Sequence, residues 1–189
     1  MQMNTSITKR VRHRKLGIGR VVHQTRYILN YRDPRDVVVS MVNFLSGNTA
    51  RGYGDFNEFP VFNRILTAKP TFSDKLTYAL TDPAFPGYRA YEDALWLLNH
   101  PDVCTVSFEE LVGPQGGGTA AAQRAVVGRV VEFLGLDADP AAVSERLFRR
   151  DAFSFFKGQI GAWREVFTPE HVALYEKKSG DMLSLYGYR

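Results

Sequence analysis

Apolar positions recur along this chain with two periods, and the switches between them lay out its elements. Tyr27-Ile28-Leu29-Asn30-Tyr31 is a short apolar, β-prone run that ends in Arg32, the pattern of a strand. A turn follows at Asp33, and a helix opens on Pro34. Proline suits the first helical position because its missing N–H would be unpaired there anyway. Asp33 can cap this helix, and Asp36 favours its positive N-terminal end. Val38, Met41, Val42 and Leu45 then fall at i, i+3, i+4 and i+7, which predicts one apolar helix face.

The same reading continues downstream. Residues 47–60 are rich in Gly, Asn and aromatics and read as a loop. Helices are expected over 60–68 and 72–80. Another is expected over 91–99, where Tyr91, Ala94, Leu95 and Leu98 repeat at helical spacing. Residues 103–108 alternate as a strand. Residues 113–118, with Pro114 and three consecutive glycines, read as a flexible surface loop. It is no phosphate loop, because no Lys-Ser/Thr follows. Residues 120–134 predict a clear helix with Val126, Val130, Phe133 and Leu134 on one face, stopped by Gly135. A further helix is expected over 141–148. Thr168 before Pro169 is an N-cap signal for the last long helix. Strands alternating with helices predict an α/β layer fold with a parallel sheet flanked by helices.

Length and charge refine this picture. A chain of 189 residues forms one core. Residues 1–26 read as a basic extension and 27–189 as the domain. Residues 1–20 hold Lys9, Arg10, Arg12, Arg14, Lys15 and Arg20 without an acidic residue. Such a block is either a nucleic-acid arm or a solvated tail. No nucleic-acid motif accompanies it, so nucleic acid is not the expected partner. No apolar run is long enough to span a membrane, and no apolar segment follows the basic start as in a signal peptide. The single cysteine, Cys104, allows no internal disulfide and fits a buried structural thiol. A cytoplasmic location is expected. No Cys/His cluster has metal-ligand spacing, so no metal is expected.

Two segments carry candidate chemistry. Arg32 stands at the carboxyl end of a strand, where open α/β sheets bind ligands, and Ser40 offers a hydroxyl eight residues on. A guanidinium and a hydroxyl there suit a phosphate. The plainer reading is a βα unit whose Arg and Asp side chains pair on the surface. Far downstream, Phe156-Lys157-Gly158-Gln159-Ile160-Gly161-Ala162-Trp163-Arg164 offers a lysine charge and glycines that let backbone N–H groups approach an anion. Its plainer reading is a glycine-containing loop ahead of a core tryptophan.

Arg32-Asp33-Pro34-Arg35-Asp36 with Ser40 resembles the 3′-phosphate-binding motif of sulfotransferases that use 3′-phosphoadenosine 5′-phosphosulfate (PAPS). The 156–164 segment resembles that family's C-terminal Arg-Lys-Gly-x-x-Gly-x-Trp-(Lys/Arg) motif, with Phe156 where the family has Arg. Phe108-Glu109-Glu110-Leu111 resembles its (Tyr/Phe)-Glu-(Asp/Glu)-(Leu/Met) segment. The resemblance covers residues 27–189. It implies a sulfotransferase-type fold of the P-loop-containing nucleotide hydrolase kind, with the first βα unit missing. The family's 5′-phosphosulfate loop has no counterpart in residues 1–26, where Lys15-Leu16-Gly17-Ile18-Gly19-Arg20 has the wrong glycine spacing. A truncation or an altered reading frame ahead of Tyr27 would explain this.

The function implied is transfer of a sulfuryl group from PAPS to a hydroxyl or amine acceptor, a small molecule or a glycan. By resemblance Arg32 and Ser40 bind the 3′-phosphate, Lys157 and Gly158 add contacts, and Phe108 lies near the adenine. The catalytic base is unassigned, since His13 and His23 lack the family's surroundings. The alternative is a non-catalytic relative that binds nucleotide or a partner. A missing central strand would leave ladder groups exposed, and so expects either low stability or a partner that fills the gap. Neither the acceptor nor the oligomeric state is readable.

Overall fold

The computed structural model describes residues 25–47, 59–148 and 157–189. His13, His23, the basic block, the 15–20 segment, most of the 47–60 loop and Phe156 lie outside the described residues.

The fold is built round one corner. Strand β1 (Tyr27–Tyr31) runs into helix α1 (Pro34–Leu45). Asp33 caps α1, its side chain accepting from the Arg35 N–H, with Pro34 in the first turn, as the local signals require. The helix is buried on more than one side. Val39, Met41, Val42 and Leu45 pack with Phe59, Phe62 and Leu66 of α2 (Phe59–Thr67), with Leu76 and Ala79 of α3 (Phe72–Thr81), and with Phe85. Val37 packs elsewhere, with Tyr91 of α4 (Tyr88–Ala94), Met182 and Tyr186. A single-stripe pattern is therefore too narrow for α1, which is a central helix and not a surface one. Val38, read as part of the stripe, is only partly buried.

Strand β2 (Val103–Ser107) pairs parallel with β1, Leu29 opposite Thr105. Cys104 and Val106 are buried against Val126 and Val127 of α6 (Ala120–Leu134), with Ile28 alongside. Gly135 ends α6 in the left-handed conformation. Between α4 and β2 lies a short 3₁₀ turn, Leu95–Asn99. Helix α7 (Pro140–Ser144) is shorter than its expected span. A 3₁₀ turn, Ala162–Glu165, leads to α8 (Pro169–Ser179), which packs on α3, and to α9 (Met182–Leu185).

Strand β2 stops one residue before its expected end. The Ser107 hydroxyl accepts from the Glu110 N–H at 3.2 Å, and the Glu110 carboxylate accepts from the Ser107 N–H at 3.0 Å. This reciprocal capping box starts helix α5 (Phe108–Leu111). Phe108 is thus a helix residue, not the last residue of a strand. Burial opposes charge on Glu110, but the Ser107 bonds and Arg129 outweigh it and hold the carboxyl below the usual glutamate range.

These elements correct the expected fold class. Among the described residues the sheet has two strands and does not continue. The other buried apolar residues described lie mainly in helices, one group packed round α1 and another, from α6, packed on β2. The larger parallel sheet of a P-loop-containing nucleotide hydrolase or sulfotransferase fold is absent from them, and the architecture is mainly helical. The sulfotransferase resemblance is therefore not supported by the fold. The sulfuryl-transfer activity drawn from it loses its structural basis.

Candidate functional site

Arg32 leaves β1 at the carboxyl end of the parallel pair, and its surroundings come from four parts of the chain. Its main-chain oxygen accepts from the Tyr91 hydroxyl at 2.7 Å. Its guanidinium lies over the Phe108 ring, 4.2 Å from the centroid, a favourable cation–π contact. Nη2 donates to Asp36 Oδ2 at 3.1 Å and also to the Gln159 carbonyl. Nε is buried without a hydrogen-bond partner.

Asp36 is the fastener beneath it, with a side chain that is fully buried. Besides Arg32, its Oδ2 accepts from the Gly161 N–H and its Oδ1 from the Trp163 N–H, both at 2.8 Å. Asp33 makes a second fastening. Oδ1 accepts from the Arg35 N–H and Nε, each at 2.9 Å, and Oδ2 from Arg35 Nη2 at 2.8 Å and Trp163 Nε1 at 3.1 Å. Arg35 stacks on the Trp163 ring at 4.0 Å, and its Nη2 also reaches the Arg189 main-chain oxygen at 2.8 Å. Two sequence segments 125 residues apart are joined by these carboxylates. The Arg and Asp residues do pair, as the plainer reading has it, but in the interior and with third partners.

Glu109 closes the corner. It accepts from the Asp33 N–H at 3.1 Å and from the Tyr188 hydroxyl at 2.8 Å. Burial, then the Glu109 carboxylate, push the Tyr188 hydroxyl well above the ordinary tyrosine range, so it stays a proton donor. Burial does the same to Tyr91.

The expected site residues divide. Arg32 and Phe108 are in contact, and Gln159 brings the 157–161 loop to the same guanidinium. Lys157 lies on that loop and pairs with Glu165 at 2.5 Å; both side chains are substantially exposed. Gly158 has φ 61°, a left-handed conformation that suits glycine. Ser40 is half-buried on α1, and no hydrogen bond joins it to Arg32 among the described residues. Trp163 is partly buried against the α1 core, and its indole N–H is engaged by Asp33. Asp33, Asp36, Glu109, Tyr91 and Tyr188 form the setting of the site. The sequence offers Asp33 and Asp36 as helix-end residues and arginine partners, but it carries no signal that brings Glu109, Tyr91 or Tyr188 to this corner.

The segment 113–118 lies at the surface as expected, with Pro114, Gln115 and Gly117 exposed, but Gly113 and Gly116 are buried, which a flexible loop would not require. Gly116 is buried, and its carbonyl accepts from the Ile160 N–H at 3.0 Å. A Cβ on Gly116 would stand 2.1 Å from Val112 Cγ2 and 2.4 Å from the Gly158 carbonyl oxygen. The close approach of two backbones requires glycine here. Gly116→Ala is expected to cost about 1–3 kcal/mol by overpacking and to unseat the 157–161 loop. Faster amide exchange at Ile160 would report it, and unchanged exchange would refute the docking.

Chemically, the corner offers the Arg32 guanidinium and the Lys157 ammonium, with the Glu109 carboxylate and the Tyr188 hydroxyl paired behind them. His171 is buried elsewhere, on α8, and Cys104 is buried in β2. Among the described residues, no group of three or more His, Cys, Asp and Glu could hold a metal ion, and no helix is long and apolar enough to cross a membrane. No protein-family model and no curated protein matches this chain.

Proposed function

We propose that the Arg32 corner binds a phosphate-bearing ligand, a phosphorylated nucleotide in the first instance, without transferring a group. The observation that carries this reading is the state of Arg32. Its guanidinium sits at the carboxyl end of two parallel strands, its Nη2 is held by Asp36 and Gln159, and Nη1 has no partner among the described residues. A guanidinium fixed on one edge is oriented in advance for an anion on the other, which lowers the entropic cost of binding. The Phe108 ring offers an aromatic surface for a base. Lys157 adds a second cation on the loop that carries Gly158 and Gln159. Its exposed pair with Glu165 contributes little, so exchanging that partner for a phosphate costs little. PAPS and 3′-phosphoadenosine 5′-phosphate belong to this ligand class, as bound molecules and not as sulfuryl donors. Ser40 has no assigned part in it.

The test is calorimetric titration of the full chain with 3′-phosphoadenosine 5′-phosphate, with adenosine as control. Binding that needs a phosphate is expected. Arg32→Ala should weaken it about ten- to a hundredfold, the equivalent of one charge-assisted contact of about 1.5–3 kcal/mol. Lys157→Ala, on an exposed side chain, should weaken it less while leaving the fold intact. Equal heats for the nucleotide and for adenosine, or binding indifferent to both substitutions, would overturn the reading.

A further inference from the structure

We infer that the cleft between α6, α7 and the 113–118 turn binds a free amino acid with an apolar side chain. The cleft has a volume of about 270 Å³. That is below the roughly 300–1,000 Å³ of sites for drug-sized ligands, so its occupant is small. Val112, Pro114, Ala141 and Phe148 supply its apolar lining. It shares no lining residue with the Arg32 corner, and it stands independently of any ligand bound there.

Three polar side chains in the lining set the chemistry. The first is Arg124. Its Nε donates to the Ala120 carbonyl at 3.4 Å, which folds the guanidinium back along the first turn of α6. Its Nη groups have no partner among the described residues. The start of α6 adds to this charge. Thr119 takes the Ala122 N–H through its hydroxyl and the Gln123 N–H through its carbonyl. The Ala120 and Ala121 N–H groups have no partner among the described residues. A carboxylate beside Ala120 and Arg124 thus meets a guanidinium, unpaired N–H donors and the positive end of a helix of 15 residues.

The second is Gln123, which is only 8 % exposed. Its amide lies flat against Gly113, where an added Cβ would stand 2.6 Å from Oε1, 2.7 Å from Cδ and 2.8 Å from Nε2. Nε2 donates to the Leu111 carbonyl at 2.7 Å. Oε1 is left as an acceptor without a partner among the described residues. An unpaired acceptor in a buried side chain costs free energy, and a ligand N–H removes that cost. The third is Glu145, just beyond α7. It is exposed and makes no ion pair among the described residues, although Arg124 lines the same cleft.

These groups select one ligand class. A simple carboxylate would satisfy Arg124 but turn an anion toward Gln123 Oε1 and Glu145. A simple amine would satisfy those two and leave Arg124 unmatched. A small zwitterion takes both charges at once, its ammonium against Gln123 and Glu145 and its carboxylate against Arg124. The apolar lining then receives its side chain.

The experiment is an NMR titration of the isotope-labelled full chain with L-leucine. Three analogues are run beside it: leucinamide, which lacks the carboxylate; isocaproate, which lacks the amine; and glycine, which lacks the side chain. Leucine should give saturable amide shifts within 112–124 and 141–148. Each analogue should bind about tenfold more weakly or worse, as a lost charge-assisted contact or a lost apolar group requires. Arg124→Ala should abolish the preference over leucinamide, and Glu145→Gln should reduce the preference over isocaproate. Both residues are exposed, so the fold should survive either change. No saturable shift with leucine would overturn the proposal. Equal binding of leucine, leucinamide and isocaproate would also overturn it, since that is how an apolar crevice alone behaves. Shifts centred on Arg32 and Phe108 would refute the assignment to this cleft.

Discussion

Asp36→Ala is expected to lower the stability of this protein by about 3–5 kcal/mol, the cost of breaking a buried, hydrogen-bonded charge constellation by removing one partner. The carboxylate is fully buried and accepts from Arg32, from the Gly161 N–H and from the Trp163 N–H. Removing it leaves two backbone donors unpaired and the Arg32 charge uncompensated. The two backbone donors belong to the loop that Gly116 also holds, so that loop should loosen first. At about 2–4 °C per kcal/mol for a chain of this size, the melting temperature should fall by roughly 6–20 °C. Asp36→Asn would retain the size but turn an amide N–H₂ toward one of the donors, so it should restore only part of the loss. The measurement is urea unfolding of both variants, with the double variant Asp36→Ala/Arg32→Ala closing a cycle. The double variant should cost less than the sum of the singles, because removing Arg32 relieves the stranded charge. A loss below about 1 kcal/mol for Asp36→Ala, on the scale of an ordinary net hydrogen bond, would mean that the two segments are not fastened through this carboxylate in solution.

That fastening also marks the limit of what the sequence discloses. The start of α1 is legible because its signals are local: a β-prone run, then Asp33 to cap and Pro34 in the first turn. The ends of α6 at Thr119 and Gly135 are legible for the same reason. The extent of the sheet is not. A short run such as Tyr27–Tyr31 has the same pattern whether two strands flank it or one, since partners are chosen by the whole chain. The short motifs around Arg32 and Trp163 fit a βα corner stitched to a glycine loop. They do not carry information about the rest of a layer, and a family fold drawn from them went too far. The Ser107-x-x-Glu110 box is a local helix-start signal, and it ends the strand alternation that precedes it. The 113–118 glycines look the same in sequence whether they give freedom or close approach, and only the Gly158 carbonyl lying against Gly116 tells which. Of the site, Arg32 at a strand end could be read. Its orientation by Asp36, Phe108 and Gln159 could not, because it depends on contacts between segments remote in the chain.

His171→Ala is the second large effect, expected at about 3–5 kcal/mol, and it tests the side of the core away from Arg32. His171 is 1 % exposed and stands at the third position of α8, where a capping box ordinarily carries Glu or Gln. Its Nδ1 accepts from the Thr168 N–H at 3.1 Å. A backbone N–H can only donate, so Nδ1 carries no proton and Nε2 does. Nε2 faces the Ser73 carbonyl at 3.2 Å and the Thr77 hydroxyl at 3.1 Å, both on α3. One ring therefore caps α8 and joins it to α3. Alanine leaves a cavity, an unpaired Thr168 N–H and the Ser73 carbonyl without this partner, so the transfer and desolvation costs add. His171→Gln separates the two roles. Its carbonyl can take the Thr168 N–H as in an ordinary box, but its amide is placed differently against α3, so about half of the loss should return. Urea unfolding of the two variants reads this directly. If glutamine restores nothing, the bridge to α3 carries the stability and the cap is incidental. If alanine costs less than about 1 kcal/mol, well under the usual large-to-small penalty, then α8 is not anchored to α3 through His171.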